Sequence, residues 1–140
     1  QDIRFGTNDF TIDFFFFLQT TANMEIFSIG IPGQDTCYRL NMSYGNLIFS
    51  DGTGGWGWSR HMSQTFTFNL NTWYYIMVRR KNGILEFFVD HKRIYKAAYN
   101  INLRATGNMY LGTYYALSNY MIAYIDQFRM TNKALPANEY

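Results

Sequence analysis

Residues 72–92 have the pattern of a β-hairpin, and this pattern restricts the possible folds more than any other feature of the chain. Two apolar runs flank Asn82-Gly83, a dipeptide that accepts the positive φ angles required at both central positions of a type I′ turn. Alternation then places one set of apolar side chains on a single face: Ile76, Val78, Leu85, Phe87 and Val89. That face must be covered by a second sheet, so the hairpin predicts a β-sandwich.

Turn-forming residues recur along the whole chain and separate short runs that are rich in aromatic side chains. Phe, Tyr and Trp make up 20% of the 140 residues, which favours strands over helices. This length suffices for one domain with its own core. The pattern predicts an all-β, antiparallel two-sheet fold, with a helical turn in 134–140 and strands near 10–19, 24–30, 37–43, 46–50, 56–62, 64–68, 72–80, 84–90, 92–98, 108–112 and 120–131.

Alternation in the first predicted strand divides its aromatic residues between two faces. Phe10, Ile12 and Phe14 belong to the set that we expect in the core. Phe15 and Phe17 point to the opposite side, so their cover must come from the chain's own loops, from a neighbouring chain or from a ligand.

Two positions in the C-terminal third carry further burial predictions. Leu111 is expected between the sheets. Asp126 lies between Tyr124 and Phe128, which we interpret as core-facing, so it is predicted to be a partly buried carboxylate that accepts hydrogen bonds.

Composition and charge exclude several classes of protein. The net charge is only +2, and the densest basic run, residues 79–81, is interpreted as a solvated hairpin end, so no nucleic-acid partner is predicted. The longest apolar run, Phe14 to Leu18, is far shorter than the roughly 20 residues of a membrane span. Cys37 is the only cysteine, so no intrachain disulfide is possible. Because the chain opens at Gln1 rather than Met, we expect it to be part of a larger polypeptide.

Several segments, in this order along the chain, together resemble the concanavalin A-like, laminin-G-like jelly roll. They are residues 10–14, 73–79, 85–90, 109–112 and 124–130. The resemblance covers nearly the whole chain and implies one laminin-G-like domain over 1–140 with two packed antiparallel sheets. The opening block is also similar to repeats in bacteriophage and viral tail or fibre proteins, which implies an extracellular or virion-surface location. Where the family usually has Asp-Gly, this chain has Asp90-His91, so His91 is predicted in the left-handed region.

The segment 51–60 is the best candidate for a ligand surface. Trp56, Trp58 and Arg60 alternate onto one strand face, and Asp51 precedes them in the same loop. Sugar rings stack on aromatic faces while polar neighbours bind the hydroxyl groups, so this pattern predicts glycan binding. The alternative is that both indoles fill the core of the sandwich.

The resemblance also suggests a Ca²⁺ site. Laminin-G-like domains often bind Ca²⁺ at a loop rim through carboxylates and carbonyl oxygens, and Asp35 and Asp51 lie in loops that could supply such ligands. Aspartate is also an ordinary turn former, so both readings stay open.

A catalytic function is not expected from this sequence. Glucanases with this architecture carry Glu-x-Asp-x-x-Glu on one strand, and no such spacing occurs here. We therefore predict a non-catalytic recognition or adhesion module that binds a glycan or a protein surface. The alternatives are a structural assembly domain that contacts neighbouring chains in an oligomer, particle or fibre, and, less favoured, a jelly-roll glycoside hydrolase.

Overall fold

The fold is all-β, as predicted. The structure is a computed structural model that describes residues 4–31, 36–53, 58, 60–114 and 116–138. Throughout these residues, the regular elements are strands, and they form two antiparallel five-stranded sheets, the arrangement of a two-sheet jelly-roll β-sandwich. The strands are β1 (Phe10–Leu18), β2 (Met24–Ile29), β3 (Thr36–Ser43), β4 (Asn46–Thr53), β5 (Arg60–Thr65), β6 (Trp73–Lys81), β7 (Ile84–Val89), β8 (Lys92–Ala98), β9 (Met109–Leu111) and β10 (Ala123–Thr131).

The first sheet has the strand order β10-β1-β6-β7-β8 and belongs to a compact unit formed by 1–19, 69–102 and 123–140. Its β6-β7 hairpin has the predicted register, with Lys81 opposite Ile84. The turn between them has φ angles of 50° at Asn82 and 73° at Gly83, as the type I′ prediction requires. His91 has a φ of 67°, which confirms its predicted left-handed conformation.

One face of this first sheet is its apolar core. The predicted core residues are all buried, with at most 2% exposure: Phe10, Ile12, Phe14, Ile76, Val78, Leu85, Phe87 and Val89. Their burial confirms the face assignment made from alternation.

The opposite face of the first sheet is partly covered by residues 132–138. Thr11 Oγ1 donates to Lys133 O and accepts from Leu135 N–H, at 2.7 and 2.9 Å. Phe15 packs with Tyr75 beside Leu135 and Ala137, so the chain itself covers part of the second aromatic set. In the described part of this segment, residues 137–138 form a turn and no helix is present, so the helical turn predicted for 134–140 is wrong there.

The basic run on β6 is not the solvated hairpin end that the sequence suggested. Arg80 is fully buried at 0% exposure, and it donates to the carbonyl groups of Gly6, Asn8 and Ile101 at 2.6–2.8 Å. The preceding residue, Arg79, forms an ion pair of 2.6 Å with buried Glu86. Both arginines therefore stabilise the fold.

Two burial predictions in the C-terminal third are wrong. Leu111 is 49% exposed because β9 is a short strand at the edge of its sheet. Asp126 is exposed, and so is Tyr124, at 57%. A bulge interrupts the alternation of β10 here, so Phe128 faces the core together with Ile125, which pairs with buried Phe16, while Tyr124 and Asp126 lie on the opposite face.

The second sheet has the order β5-β4-β3-β2-β9 and belongs to a unit formed by 20–68 and 103–122. Its buried face includes Tyr38, Leu40, Leu47 and Phe49, all at 0% exposure. The two strands predicted at 56–62 and 64–68 are replaced by the single strand β5, and residues 66–68 are not in a strand.

None of the described segments forms a helix that could span a lipid bilayer.

Candidate functional site

The second sheet carries a polar face opposite its apolar one. Arg39 on β3 pairs with Ser28 on β2 and with Ser50 on β4, and Asn41 pairs with Glu25 on β2. Paired residues in a sheet share a face, so these side chains lie side by side. A bulge in β2 between Glu25 and Phe27 allows Glu25 to join this face.

A cavity of about 290 Å³ opens on this polar face. One wall is held by the segment before β10, because the Glu25 N–H donates to Asn119 O at 2.8 Å. Another is fixed by Ser43 Oγ, which donates to Asn23 Oδ1 at 2.7 Å. The cavity is lined by Asn23, Met24, Glu25, Arg39, Asn41, Ser43, Ile48 and Asn119.

Three of the polar atoms on these lining residues are buried without a hydrogen-bond partner among the described residues. They are Glu25 Oε1, Arg39 Nε and Asn41 Oδ1. A buried donor or acceptor left unsatisfied costs roughly 1–3 kcal/mol. One donor and two acceptors thus lie unsatisfied beneath the surface of the cavity, and a polar molecule that reached them through a small movement of the lining side chains would recover this cost.

Glu25 lies almost entirely out of solvent, at 1% exposure. Burial raises the pKa of its carboxyl group to about 7, although the positive charge of Arg39 opposes this shift. The ion pair between them is long, at 3.4 Å. Near neutral pH the carboxyl group can therefore either donate or accept a hydrogen bond.

Aromatic rings border the polar face on the side of Arg39. The guanidinium carbon of Arg39 lies 4.4 Å from the ring centroid of Trp58 and 5.6 Å from that of Tyr114. The indole N–H of Trp58 donates to Tyr114 Oη at 3.1 Å. Tyr114 N–H in turn donates to Ser118 O at 3.0 Å, within the loop that follows β9. The cluster of Arg39, Trp58 and Tyr114 thus combines a cation with two aromatic rings.

The four residues predicted from segment 51–60 have different outcomes. Trp58 belongs to this site, and it is half-buried on the polar face rather than in the core. Trp56 lies outside the described residues. Arg60 is the first residue of β5 and pairs with Asp51, but its side chain is not among those that the structure describes. Asp51 is buried at 0% exposure on the other face from Ser50 and Arg39, so we leave it out of the candidate site.

Sequence reasoning missed the residues that form most of this site. The sequence predicted no binding role for Arg39 or for four further residues of the site, Glu25, Asn41, Tyr114 and Asn119. A signal was present in β3, where Arg39, Asn41 and Ser43 alternate with buried Leu40 and Met42. Such alternation indicates a sheet face with polar side chains, but not that a loop and a neighbouring strand enclose a cavity on it.

The described residues do not fit the calcium site suggested by the resemblance. Asp35 lies outside them, and Asp51 is buried on the apolar face of the second sheet, where it pairs with Tyr38. Among the described side chains, no group of three or more His, Cys, Asp or Glu is placed to hold a metal ion.

The family model for the concanavalin A-like lectin/glucanases superfamily, of laminin G type, matches residues 1–139. The chain belongs to this family. None of the curated protein sequences is significantly similar to this concanavalin A-like domain.

Solved structures with the same fold include a candidate carbohydrate-binding protein from Bacteroides ovatus, at a TM-score of 0.77 and 14% identity over 99% of this chain and 41% of that chain. Domains LG4-5 of the mouse laminin alpha1 chain match with a TM-score of 0.72 and 14% identity, over 99% of this chain and 39% of that one. The CBM40 of the Ruminococcus gnavus IT-sialidase, bound to alpha2,3 sialyllactose, matches with a TM-score of 0.74 and 14% identity. The match covers 96% of this chain and 82% of that chain. This domain spans about two fifths of the first two structures. At these identities the likeness concerns the fold.

Proposed function

We propose that this concanavalin A-like domain is a non-catalytic carbohydrate-binding module whose glycan site is the cavity on the polar face of the second sheet. One observation carries the proposal. Glu25, Arg39 and Asn41 line the cavity with a buried donor and two buried acceptors that have no hydrogen-bond partner among the described residues. A sugar presents hydroxyl groups that both donate and accept, so a ring bound in the cavity can supply partners to these atoms once the lining side chains move slightly.

The neighbouring aromatic cluster supports a glycan over other polar ligands. A pyranose has polar edges and apolar C–H faces, so its site needs hydrogen-bonding side chains beside an aromatic ring. Trp58 and Tyr114 provide such rings next to Arg39. Arg39 belongs to both parts and would bind the sugar edge while Trp58 contacts its apolar face.

The small number of carboxyl groups in the cavity argues against hydrolysis. Glycosidases of the common retaining and inverting types need two carboxyl groups on either side of the glycosidic bond. Of the described residues that line the cavity, Glu25 alone carries one. The site is therefore suited to binding rather than to cleavage.

The comparisons favour a recognition role at a surface. The similar structures include a candidate carbohydrate-binding protein, a sialyllactose-bound module and laminin domains. We extend this to the present domain as a proposal: it binds glycans, or a protein that carries them, in an extracellular or virion-surface setting. Contact with neighbouring chains in an oligomer or particle is the alternative role.

The test is a glycan array probed with the isolated domain, followed by calorimetric titration of the best ligand. Trp58→Ala and Asn41→Ala should each weaken binding by about tenfold, which corresponds to roughly 1.4 kcal/mol. Tyr44→Asn is the matched control. It removes a 75% exposed ring of the same unit that does not line the cavity, and its φ of 47° suits Asn.

Two results would contradict the proposal. One is an array without any binding by a folded wild-type domain. The other is a glycan ligand whose affinity is the same for wild type, Trp58→Ala and Asn41→Ala. A domain that binds no glycan but self-associates in light scattering would favour the assembly role.

A further inference from the structure

Three aromatic side chains form a row across three neighbouring strands of the first sheet. Phe17 on β1 pairs with Tyr124 on β10 and with Trp73 on β6. The centroid of the Phe17 ring lies 5.7 Å from that of Tyr124 and 5.3 Å from that of Trp73. Tyr124 is 57% exposed and Trp73 is 48% exposed. We call Tyr124, Phe17 and Trp73 the aromatic row; it lies on the face opposite the buried core of this sheet.

A β-bulge places two polar side chains beside the aromatic row. Phe15 pairs with Asp126 and Asp13 with Arg129, so two residues of β10 stand opposite the single residue between them on β1. The extra residue is Gln127, which has a φ of 52° and whose N–H donates to Asp126 Oδ1 at 2.8 Å. Such a conformation is uncommon for a residue other than glycine. Bulges re-aim side chains, and this one leaves two consecutive polar residues exposed.

Trp73 of the aromatic row, together with Phe15 and the bulge, borders a shallow groove. Its volume is about 210 Å³, and it is lined by Phe15, Trp73, Asp126 and Gln127. Sites for drug-sized ligands usually measure about 300–1,000 Å³, so this groove fits one ring of a ligand at a time. An aromatic floor beside a carboxylate and an amide matches the apolar face and polar edge of a pyranose.

The exposed area of the aromatic row is too small for a stable contact between two copies of this chain. A buried aromatic side chain covers 150–250 Å², so the exposed halves of Trp73 and Tyr124 offer on the order of 200 Å². A standard protein interface needs about 800 Å² on each partner. Residues 132–138 cover only the adjoining part of this face, where Leu135 and Ala137 pack near Phe15. A small ligand therefore suits the exposed area better than a second copy.

We propose that the aromatic row is a second saccharide-binding site, which takes an uncharged pyranose ring of an extended oligosaccharide. The ring lies on Trp73, and its hydroxyl groups bond to Asp126 and Gln127, while the adjoining residue of the oligosaccharide contacts Tyr124 across Phe17. The exposed carboxylate of Asp126 would repel an acidic sugar, which selects for neutral residues. This site uses none of the residues of the cavity on the second sheet, so each of the two proposals can be tested independently of the other.

The experiment titrates the domain with cellohexaose, maltohexaose and chitohexaose as neutral probes and with hexagalacturonate as the acidic one. The indole N–H signal of Trp73 is followed by NMR and is assigned from its absence in Trp73→Phe. At least one neutral probe should shift this signal. Trp73→Ala and Tyr124→Ala should each weaken binding of that probe by roughly threefold to tenfold. Trp73→Phe should retain most of the affinity.

Leu70→Ala is the matched control, because Leu70 is 48% exposed in the same unit but is not part of the aromatic row. Trp58→Ala should leave the Trp73 response unchanged, which separates this site from the cavity.

The proposal is overturned if no neutral probe shifts the Trp73 signal, or if hexagalacturonate binds there as tightly as the neutral probes. It is also overturned if the wild type self-associates and Trp73→Ala abolishes this, since a second copy would then be the occupant. If Trp73→Ala does not fold, the wild-type NMR titration and Tyr124→Ala decide.

Discussion

The guanidinium group of Arg39 lies over the indole of Trp58, with its central carbon 4.4 Å from the ring centroid. Stacking uses the flat face of the guanidinium and leaves its N–H edge for hydrogen bonds. Only part of that edge is used, because Nη1 meets Glu25 Oε2 at 3.4 Å and Nε has no partner among the described residues. Arg39 is therefore held in place while one of its donors stays unsatisfied beneath the surface of the cavity.

Glu25 should make the stability of the domain depend on pH. Its pKa is raised from 4.5 to about 7 in the folded state. The folded state therefore holds a proton that the unfolded chain has released, and stability falls as pH rises from about 4.5 to about 7. The loss is up to about 3 kcal/mol. Urea unfolding at several pH values would measure this loss. The unfolding free energy of the wild type should fall relative to that of Glu25→Gln as pH rises over this range.

Glu86→Gln is the matched control for this pH dependence. Burial raises the pKa of Glu86, but hydrogen bonds from Arg79 and Arg93 outweigh it, so the net pKa is lowered. The stabilisation from Glu86 is therefore present above its ordinary pKa and is lost as pH falls through the folded-state value. A Glu25→Gln variant with the same pH profile as the wild type would refute the Glu25 prediction.

Phe87→Ala should remove a central part of the core of the first sheet. Phe87 is fully buried and stacks on Tyr95, with a centroid distance of 4.6 Å. Truncating a buried phenylalanine costs about 3–5 kcal/mol, because apolar contacts are lost and a cavity remains. Chemical denaturation would measure this loss, and Phe87→Leu should be affected less. A loss below about 1 kcal/mol would contradict the prediction.

Arg80→Lys should destabilise the domain although it preserves the charge. The guanidinium of Arg80 bonds three backbone carbonyl groups at once, and a lysine cannot reproduce this planar set of donors. We expect a loss of at least about 2 kcal/mol, since hydrogen bonds to charged groups are worth roughly 1.5–3 kcal/mol. Lys81→Arg, at the exposed neighbouring position, should stay within about 0.5 kcal/mol of the wild type. Equal midpoints for both variants in thermal unfolding would refute this role for Arg80.

Gly83→Ala should damage the β6-β7 turn. Gly83 has a φ of 73°, and a Cβ atom there would collide with Asn100 Oδ1. Strain of this kind costs more than about 1 kcal/mol. Asn82→Gly at the preceding position, where φ is 50°, should be nearly neutral. The two variants would be compared by thermal unfolding, and an unchanged Gly83→Ala midpoint would be the contrary result.

Most of the strands, the pairing in the central hairpin and the core face of β1 could be predicted from local pattern alone, although the strands predicted at 56–62 and 64–68 form a single strand, β5. Asn82-Gly83 fixes a turn with two positive φ angles, and that turn fixes the register of Val78 opposite Phe87. Alternation then assigns each apolar residue to a face. These properties depend on neighbouring residues in the chain, so the sequence displays them directly.

The candidate sites depended on contacts between residues far apart in the chain. Arg79 and Arg80 looked solvated because nothing local indicates that a carboxylate or distant carbonyl groups surround them. The bulge in β10 reversed the expected burial of Asp126, since one extra residue shifts every side chain before it to the other face. Arg39, Glu25 and Trp58 meet only when three separate segments fold together, so the tertiary structure decided the chemistry of the cavity while the sequence determined the fold.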